Sequence, residues 1–490
     1  MKRTKQLKYF LLALLAGAMV TFQFGFSKHE RKSDGRTHHS VDSEDPATQN
    51  LLRAMQLADK AVVAHFTGDG MAMGRFYNPY TNELSREKAS VWMYTASIEA
   101  VNAILHGLKA QKEHGNTALY DAHFDRYVAL LKKLYDNAAY YLGTFKLVSF
   151  TQTKEWTVYA VDRAREKGKA NVTGILNVYD DQMWLAREFL EAYKLTGDKE
   201  YLKQAEYLTE YVLDGWDTTL DANGEENGGI PWGPGYVTKH SCSNGPIISP
   251  LVWLHELYKG KSDRVEHRYI DPKDKKTRKS KKVKKSDYYL DFAKKVYDWQ
   301  KKHLLRTDGV YADMMGDCGS AKCKIVYETV KGVEYRANTP LLKAVGAPYT
   351  YNSGTMLSGA ADLYRVSKDP IYLADAKALS DASFNYFAKL DVTVPGLYAY
   401  DTRGFRNWFN GVLMRGYLDV YPSYGTVARY IDSFQQNLDY GYGRFLHNGF
   451  LPTNVLAGWD QETDKNNVEG MFTFTFAAQY ALLSQYTLTK

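Results

Sequence analysis

The sequence predicts an all-α protein whose helices close into an (α/α)6 barrel, a toroid of six helical hairpins. Beyond residue 50, apolar residues recur at spacings of three and four, as on one face of an α-helix. Short polar turns that hold an aspartate recur between helices, and long loops rich in Gly and Trp follow. An open α-solenoid is the structural alternative, but the irregular repeat and the long loops favour a closed ring.

Twelve segments carry the helical periodicity, and Gly, Pro and polar residues separate them. The predicted helices span residues 50–66, 89–111, 120–143, 181–196, 199–214, 247–258, 287–304, 352–367, 370–390, 407–420, 424–438 and 468–487. Because twelve helices make six hairpins, their number fits the (α/α)6 barrel.

A weak internal repeat marks three of the helix starts. In each copy a polar turn carries an aspartate, and the next helix opens with Tyr-Leu. The aspartates are Asp198, Asp287 and Asp369, at intervals of 89 and 82 residues. Since an aspartate before a helix accepts hydrogen bonds from its free N–H groups, we expect all three to be N-caps.

The first 49 residues differ in composition from the rest of the chain. A basic stretch at 2–8 precedes an apolar run at 9–20, so we expect a signal peptide over residues 1–27. An uncleaved anchor is the alternative, but the apolar run is short for a membrane span. Residues 28–49 are polar and charged, which predicts a disordered leader before a single catalytic domain at 50–490.

Three cysteines are few for an exported protein. Cys318 and Cys323 are close enough in sequence for a local disulfide that leaves Cys242 free, and three unpaired thiols are the alternative. Neither case indicates a metal site. The predicted signal peptide indicates an exported protein, periplasmic or secreted. Because no cysteine precedes Cys242, we do not expect a lipobox lipoprotein.

The positive charge of the chain is concentrated in one segment. The formal net charge is +7, whereas residues 259–285 hold thirteen Lys and Arg against four Asp and Glu, a net of +9. Since blocks of like charge repel, the pattern favours a solvated loop inserted between two helices. Binding of an acidic or phosphorylated glycan, or of an anionic membrane surface, is the functional alternative. No basic motif with interleaved aromatic residues indicates nucleic-acid binding.

Two adjacent carboxylates, Asp180 and Asp181, stand at the start of a predicted helix between aromatic residues. From the residue pattern alone capping is the commoner role, with Asp180 as N-cap and Asp181 in the first turn. Two carboxyl groups within about 5 Å also meet the requirement of a retaining glycosidase. In that case the helix N-terminus lowers the pKa of one carboxyl, and charge repulsion raises that of the other.

Other common catalytic motifs are missing from the sequence: it has no His-Glu-x-x-His, no P-loop and no Gly-x-Ser-x-Gly. Aromatic residues beside Gly or Asn near helix starts are instead candidates for binding a sugar, since rings stack on its apolar faces. The candidates are Trp92, Tyr94, Trp184, Trp232, Asn244, Tyr351, Asn352 and Phe409. For a single aromatic, core packing is the commoner role, but several such loops indicate one shared cleft.

The run Tyr179-Asp180-Asp181-Gln182-Met183-Trp184, followed by the turn Thr196-Gly197-Asp198, resembles glycoside hydrolase family 76, the endo-α-1,6-mannanase family. Further matches are Gly228-Gly229-Ile230-Pro231-Trp232, Tyr351-Asn352-Ser353-Gly354 and Phe409-Asn410-Gly411. The similarity runs from about residue 50 to the C-terminus. It implies an (α/α)6 barrel, no metal or organic cofactor, Asp180 as nucleophile and Asp181 as acid/base.

The resemblance implies a retaining hydrolase that cleaves α-1,6-mannosidic linkages in mannan, acting within the chain. We expect mannan or manno-oligosaccharides as its partner, no nucleic acid, no membrane insertion after signal removal, and a monomer. A transglycosidase acting on mannose-containing glycans is one alternative. A non-catalytic mannan-binding protein is the other, although a pure binder has no need of both Asp180 and Asp181.

Overall fold

The computed structural model describes residues 45–317 and 324–490, and within them the chain forms twelve α-helices. They are α1 Pro46–His65, α2 Val91–Glu113, α3 Ala118–Ala138, α4 Tyr179–Thr196, α5 Lys199–Asp214, α6 Ile248–Tyr258, α7 Lys285–Leu304, α8 Thr350–Ser367, α9 Pro370–Phe387, α10 Arg406–Val420, α11 Ala428–Phe445 and α12 Gly470–Thr489. Each of the predicted helices is present, with ends displaced by up to seven residues.

The helices form two concentric rings. α2, α4, α6, α8, α10 and α12 contact one another in that order, and α12 packs against α2, which closes the inner ring. Outside it, α3 packs on α2, α5 on α4, α7 on α6, α9 on α8 and α11 on α10, while α1 packs on α12. These are six hairpins, so the predicted all-α (α/α)6 barrel is confirmed.

Burial distinguishes the inner helices from the outer ones. In α12, 15 of 20 residues are buried, whereas α9 buries 6 of 18, along one stripe. Glycines let the inner helices α8 and α10 approach closely. A Cβ on Gly354 would lie 2.5 Å from the carbonyl oxygen of Val412, and one on Gly416 would lie 2.6 Å from that of Gly354. Side chains at these positions would force the two helices apart.

Short strands occupy the loops, all paired antiparallel and none closed into a barrel within the described residues. They are β1 Phe66–Thr67, β2 Ala72–Met73, β3 Phe76–Asn78, β4 Glu83–Leu84, β5 Leu142–Val148, β6 Thr153–Tyr159, β7 Lys239–His240, β8 Arg264–Ile270, β9 Arg278–Lys284, β10 Met314–Gly316, β11 Val326–Val330, β12 Val333–Ala337, β13 Lys343–Val345, β14 Lys389–Leu390, β15 Tyr398–Ala399 and β16 Val468–Glu469. Two of the sheets have three strands, β13-β10-β7 and β16-β3-β4.

The basic segment is a solvated insertion between α6 and α7, as predicted, but it forms a β-hairpin where a loop was predicted. β8 and β9 pair along their whole lengths, from Arg264 opposite Lys284 to Ile270 opposite Arg278. Arg278 Nε donates to the carbonyl oxygen of Phe150 at 3.0 Å, and its guanidinium pairs with Glu328 at 2.7 Å. These contacts hold Arg278 on neighbouring segments, whereas most other basic side chains of the hairpin are exposed.

Two of the three repeated aspartates cap helices as predicted. Asp198 accepts a hydrogen bond from the backbone N–H of Glu200, and Asp369 accepts one from that of Ile371, both at 3.0 Å. The prediction is wrong for Asp287, which lies inside the first turn of α7. β9 continues directly into this helix, so the helix starts before the aspartate.

The N-terminal boundary lies earlier than predicted, because Asp45 accepts hydrogen bonds from the backbone N–H groups of Ala47 and Thr48 and caps α1. The predicted signal peptide 1–27 and leader residues 28–44 lie outside the described residues.

Cys318 and Cys323 also lie outside the described part of the chain, whereas Cys242 is a free thiol. Across residues 45–317 and 324–490 we find no helix with the length and apolar character needed to cross a bilayer. The same residues contain no group of three or more His, Cys, Asp or Glu arranged to hold a metal ion.

Candidate active site

A cavity of about 580 Å³ lies where the first turns of inner helices meet the loops. Its lining residues are Ser90, Trp92, Val161, Ile175, Val178, Asp180, Asp181, Trp184, Trp232, Tyr236, His240, Cys242, Asp313, Tyr351, Phe405, Trp408 and Phe409. The described residues that line it include three carboxyl groups, many aromatic rings and no Lys or Arg. Such a wall suits an uncharged, hydroxyl-rich ligand with apolar faces.

Both acids of the adjacent pair lie in the first turn of α4, which begins at Tyr179. The N-cap residue is Val178 and makes no side-chain capping bond, so the capping role considered for Asp180 is wrong. The free N–H of Tyr179 donates instead to the carbonyl oxygen of Trp232 at 2.8 Å. A loop carbonyl thus caps the helix start, and both carboxyl groups line the cavity.

Asp180 has hydrogen-bond donors around its carboxyl group. Trp232 Nε1 donates to Oδ1 at 3.1 Å, and the thiol of Cys242 lies within hydrogen-bonding reach. Burial raises the pKa of Asp180 to about 6, and the hydrogen bonds from Cys242 and Trp232 oppose that rise because they stabilise the anion.

Asp181 lies in a different environment, although it is the next residue. It is buried, with 6% of its surface exposed, and no side chain among the described residues donates a hydrogen bond to it. Burial raises its pKa well above the ordinary value, and the charge of Asp180 raises it further. Asp180 therefore ionises first while Asp181 keeps its proton, which places a carboxylate beside a carboxylic acid.

The structure brings five of the eight predicted sugar-binding residues to the cavity: Trp92, Trp184, Trp232, Tyr351 and Phe409. An aromatic cluster centres on Trp408, whose ring meets Trp92 edge-on at 5.3 Å and Trp184 at 4.8 Å. Trp408 Nε1 donates to Glu99 Oε2 at 3.1 Å, which connects this cluster to the inner helix α2. Contact of these rings with substrate stays a prediction.

The other three residues do not line the cavity. Tyr94 is fully buried, and its hydroxyl donates to the carbonyl oxygen of Leu134 at 2.8 Å. Asn244 is also buried and pins the loop that carries Trp232, since its Oδ1 accepts from the N–H of Ile230 at 2.8 Å.

Asn352 is the third of these residues and is fully buried. It donates to the carbonyl oxygens of Tyr311 and Ala312, both at 3.3 Å, just before Asp313. Each of the two asparagines therefore supports a wall of the cavity through the backbone, because its side-chain N–H groups donate to main-chain carbonyl oxygens.

Asp313 and Cys242 are cavity residues that sequence reasoning missed as site residues. Tyr351 Oη donates to Asp313 Oδ1 at 3.2 Å, and Cys242 lies between Tyr351 and Asp180. Burial raises the pKa of Asp313 and opposes its ionisation. Asp313 stands in no recognisable motif, and only the pairing of β7 with β10 brings its strand beside Cys242.

His240 also lines the cavity and stacks on Trp232, with ring centroids 4.9 Å apart. Burial lowers the pKa of His240 to about 4, so the ring is neutral near pH 7. Its Nε2 is 2.9 Å from the hydroxyl of Thr238. The ring thus helps to fix the indole that hydrogen-bonds Asp180 without adding positive charge.

Trp232→Phe tests the hydrogen bond to Asp180. The phenyl ring keeps the stacking on His240 but removes the Nε1 donor, so the carboxylate of Asp180 is less stabilised. We expect kcat/KM to fall about tenfold and the acidic limb of its pH profile to move up by about one pH unit. An unchanged acidic limb would show that this bond does not tune Asp180.

A family model described as glycosyl hydrolase family 76 matches residues 153–255 and 281–440, more than half of the chain. The chain belongs to glycosyl hydrolase family 76. The interval between the two matched parts, 256–280, contains β8 and the turn of the basic hairpin. The hairpin is therefore largely outside the part that this family-76 hydrolase shares with the family model.

Solved structures share the fold over most of this family-76 chain. The family-76 mannosidase Bt3792 from Bacteroides thetaiotaomicron VPI-5482 is 20% identical, with a TM-score of 0.63, covering 90% of this chain and 99% of its own. The α-1,6-mannanase GH76A from Salegentibacter sp. HEL1_6 is 18% identical, with a TM-score of 0.58 and coverage of 90% and 99%.

An inactive variant of the Salegentibacter enzyme, with two consecutive aspartates changed to alanine, is known in complex with α-1,6-mannotetrose. It is 17% identical to this chain, with a TM-score of 0.58 and coverage of 89% and 98%. No curated protein matches the chain. At these identities the structural likeness shows the fold.

Proposed function

We propose that this family-76 glycoside hydrolase cleaves α-1,6-mannosidic linkages within mannan and retains the configuration of the anomeric carbon. The observation that carries the proposal is the unequal pair at the start of α4, in which Asp180 is hydrogen-bonded and Asp181 is buried without a donor. The Salegentibacter α-1,6-mannanase, inactive without two consecutive aspartates, supports the assignment of pair and substrate.

The two carboxyl groups divide the reaction between them. The carboxylate of Asp180 attacks the anomeric carbon, while Asp181 gives its proton to the departing glycosidic oxygen, and a mannosyl ester forms on Asp180. Asp181, now a carboxylate, then takes a proton from water, whose oxygen attacks the anomeric carbon and releases Asp180. Two inversions give net retention, and Asp181 ends protonated as it began.

The same division predicts the pH dependence of turnover. The pKa of Asp180 is raised to about 6, and the nucleophile must be ionised, so kcat/KM should fall as the pH drops below about 6. The pKa of Asp181 is raised further, and the acid must be protonated, so activity should fall again as the pH rises through that value. A pH profile with manno-oligosaccharides checks both limbs.

The test of the proposed function is a product profile. Unbranched α-1,6-mannan is incubated with the purified chain, and the products are separated over time, with β-1,4-mannan as the control polymer. An early ladder of short manno-oligosaccharides from the α-1,6 polymer alone supports endo-hydrolysis. Elongated products would favour the transglycosidase, and binding without products would make the cleft a recognition site.

We also propose that the chain is exported and acts as a monomer. Export rests on the predicted signal peptide at 1–27, and the monomer on six hairpins that close the ring within one chain. Mass spectrometry of the mature N-terminus and light scattering of the purified protein test the two statements.

A further inference from the structure

The basic hairpin, residues 264–284, holds the surplus positive charge of the molecule. It carries ten Lys and Arg against three Asp and Glu, a net of +7, which equals the formal net charge of the whole chain. The remainder of the chain is therefore balanced. Part of the hairpin charge is neutralised locally, as Lys279 pairs with Asp271 at 2.6 Å and Arg278 pairs with Glu328.

A groove of about 560 Å³, nearly as large as the catalytic cavity, runs between this hairpin and α7. We call it the hairpin groove; Asn227, Tyr269, Lys281, Trp299, Lys302 and His303 are among the residues that line it. Trp299 is held in place, since its Nε1 donates to the carbonyl oxygen of Asn227 at 3.2 Å. Trp299 is 7% exposed and Tyr269 is half-buried, so the groove offers a sugar a limited aromatic surface with polar groups around it.

Two lysines of the hairpin groove are free to bind an anion. Lys281 and Lys302 are exposed, and neither forms an ion pair with any of the described residues. Lys295, by contrast, is 3.3 Å from Glu226 and is already paired. The carboxyl groups of Glu225 and Asp298 also line the groove and can accept hydrogen bonds from sugar hydroxyls.

The loop that lines the hairpin groove at Asn227 continues to Trp232 in the catalytic cavity. Asn227 and Trp299 also line a smaller recess beside Lys239, and the next residue, His240, lines the cavity. Trp232 follows Asn227 by five residues, a span of at most about 18 Å. Because Lys239 and His240 are consecutive in β7, their side chains point to opposite faces of the strand, so the recess and the cavity lie on opposite sides of β7.

We propose that the hairpin groove is a second glycan-binding site, for a mannan that carries phosphate groups. The inference rests on the proposed function for the mannan backbone and on the groove itself for the phosphate. The catalytic cavity has three carboxyl groups and no Lys or Arg among its described lining residues, so it repels an anionic substituent. Lys281 and Lys302 supply charge-assisted hydrogen bonds for that substituent beside the Trp299 ring.

A membrane surface fits the hairpin less well than a glycan. The turn at residues 271–277 offers no apolar side chain except Pro272 for insertion among lipids. Lys275 Nζ donates to the carbonyl oxygens of Asp221 and Ala222, at 3.2 and 2.6 Å, and holds this turn on the protein.

The test compares binding of phosphorylated mannan with the same preparation after chemical removal of phosphate. The full chain carries Asp181→Asn so that the polymer is not consumed, and affinity is measured by isothermal titration. We expect phosphorylated mannan to bind about tenfold more tightly at low salt and the preference to shrink at about 0.5 M salt. Lys281→Gln with Lys302→Gln should abolish the preference.

The matched control is Lys282→Gln with Lys284→Gln, which removes the same charge from the opposite face of β9. It should keep most of the preference, and both variants should still bind dephosphorylated mannan, which shows that they fold. Equal affinity for the two mannans, equal loss in both variants, or binding of phosphatidylserine vesicles in place of phosphorylated mannan would overturn the site. The experiment measures binding and no turnover. The comparison of the two mannans therefore still tests the hairpin groove if the catalytic proposal fails.

Discussion

Asp180→Ala should lower the rate of α-1,6-mannan hydrolysis by at least about 10⁴-fold, because it removes the group that attacks the anomeric carbon. Added azide should restore turnover of an activated aryl α-mannoside, since the small anion fits the space of the lost carboxylate. Azide then attacks from the face opposite the leaving group, so the product should be the β-mannosyl azide. Nuclear magnetic resonance of the product determines the configuration.

Asp181→Ala separates the two roles. An aryl leaving group needs no proton, so the mannosyl ester on Asp180 should still form, and azide should attack it to give the α-mannosyl azide. The control Asp69→Ala, in an exposed turn, should leave activity unchanged. The same azide anomer from both variants would contradict the assigned roles, and substantial hydrolysis by Asp180→Ala would remove Asp180 from the mechanism.

Asp181→Asn should destroy activity and yet stabilise the fold at neutral and alkaline pH. The native pKa of Asp181 lies above its unfolded value, because the carboxyl is buried beside Asp180. The protonated Asp181 carboxyl therefore makes its full contribution to the free energy of unfolding below the unfolded pKa. That contribution is lost as the pH rises through the native pKa. Asparagine keeps the shape of the side chain without a charge to bury.

The expected gain of Asp181→Asn in Tm is about 3 °C at pH 8, falling towards zero near pH 4. Calorimetry at several pH values measures it. Asp69→Asn, the matched change in an exposed turn, should show no gain that grows with pH. A lower Tm for Asp181→Asn across the whole range would mean that the carboxylate is stabilised by the fold, contrary to its lack of donors.

Local patterning predicted the helices and their closure well, because inner and outer helices both show apolar residues at helical spacing. The caps at Asp198 and Asp369 followed from the same local signals. The position of Asp287 and the basic hairpin could not be predicted from local signals. The pairing of β8 with β9 overrides local charge repulsion, and β9 continues directly into α7.

The candidate site was only partly visible in the sequence. Asp180, Asp181 and the helix-start aromatics could be located, since they stand in first turns that point to one end of a ring. Tyr94 and Asn244 carry the same local pattern. Only the tertiary structure shows that their polar groups are hydrogen-bonded to the backbone. Asp313 could not be predicted as a site residue, because the pairing of β7 with β10, rather than a sequence motif, places it at the cavity.

The most direct test of the central claim follows the anomeric configuration of the first-formed product by proton nuclear magnetic resonance as the chain cleaves unbranched α-1,6-mannan. With Asp180 as nucleophile and Asp181 as acid/base, the reducing ends should appear first as the α-anomer and reach the equilibrium mixture only later, by mutarotation. First appearance of the β-anomer would contradict the covalent mechanism on Asp180.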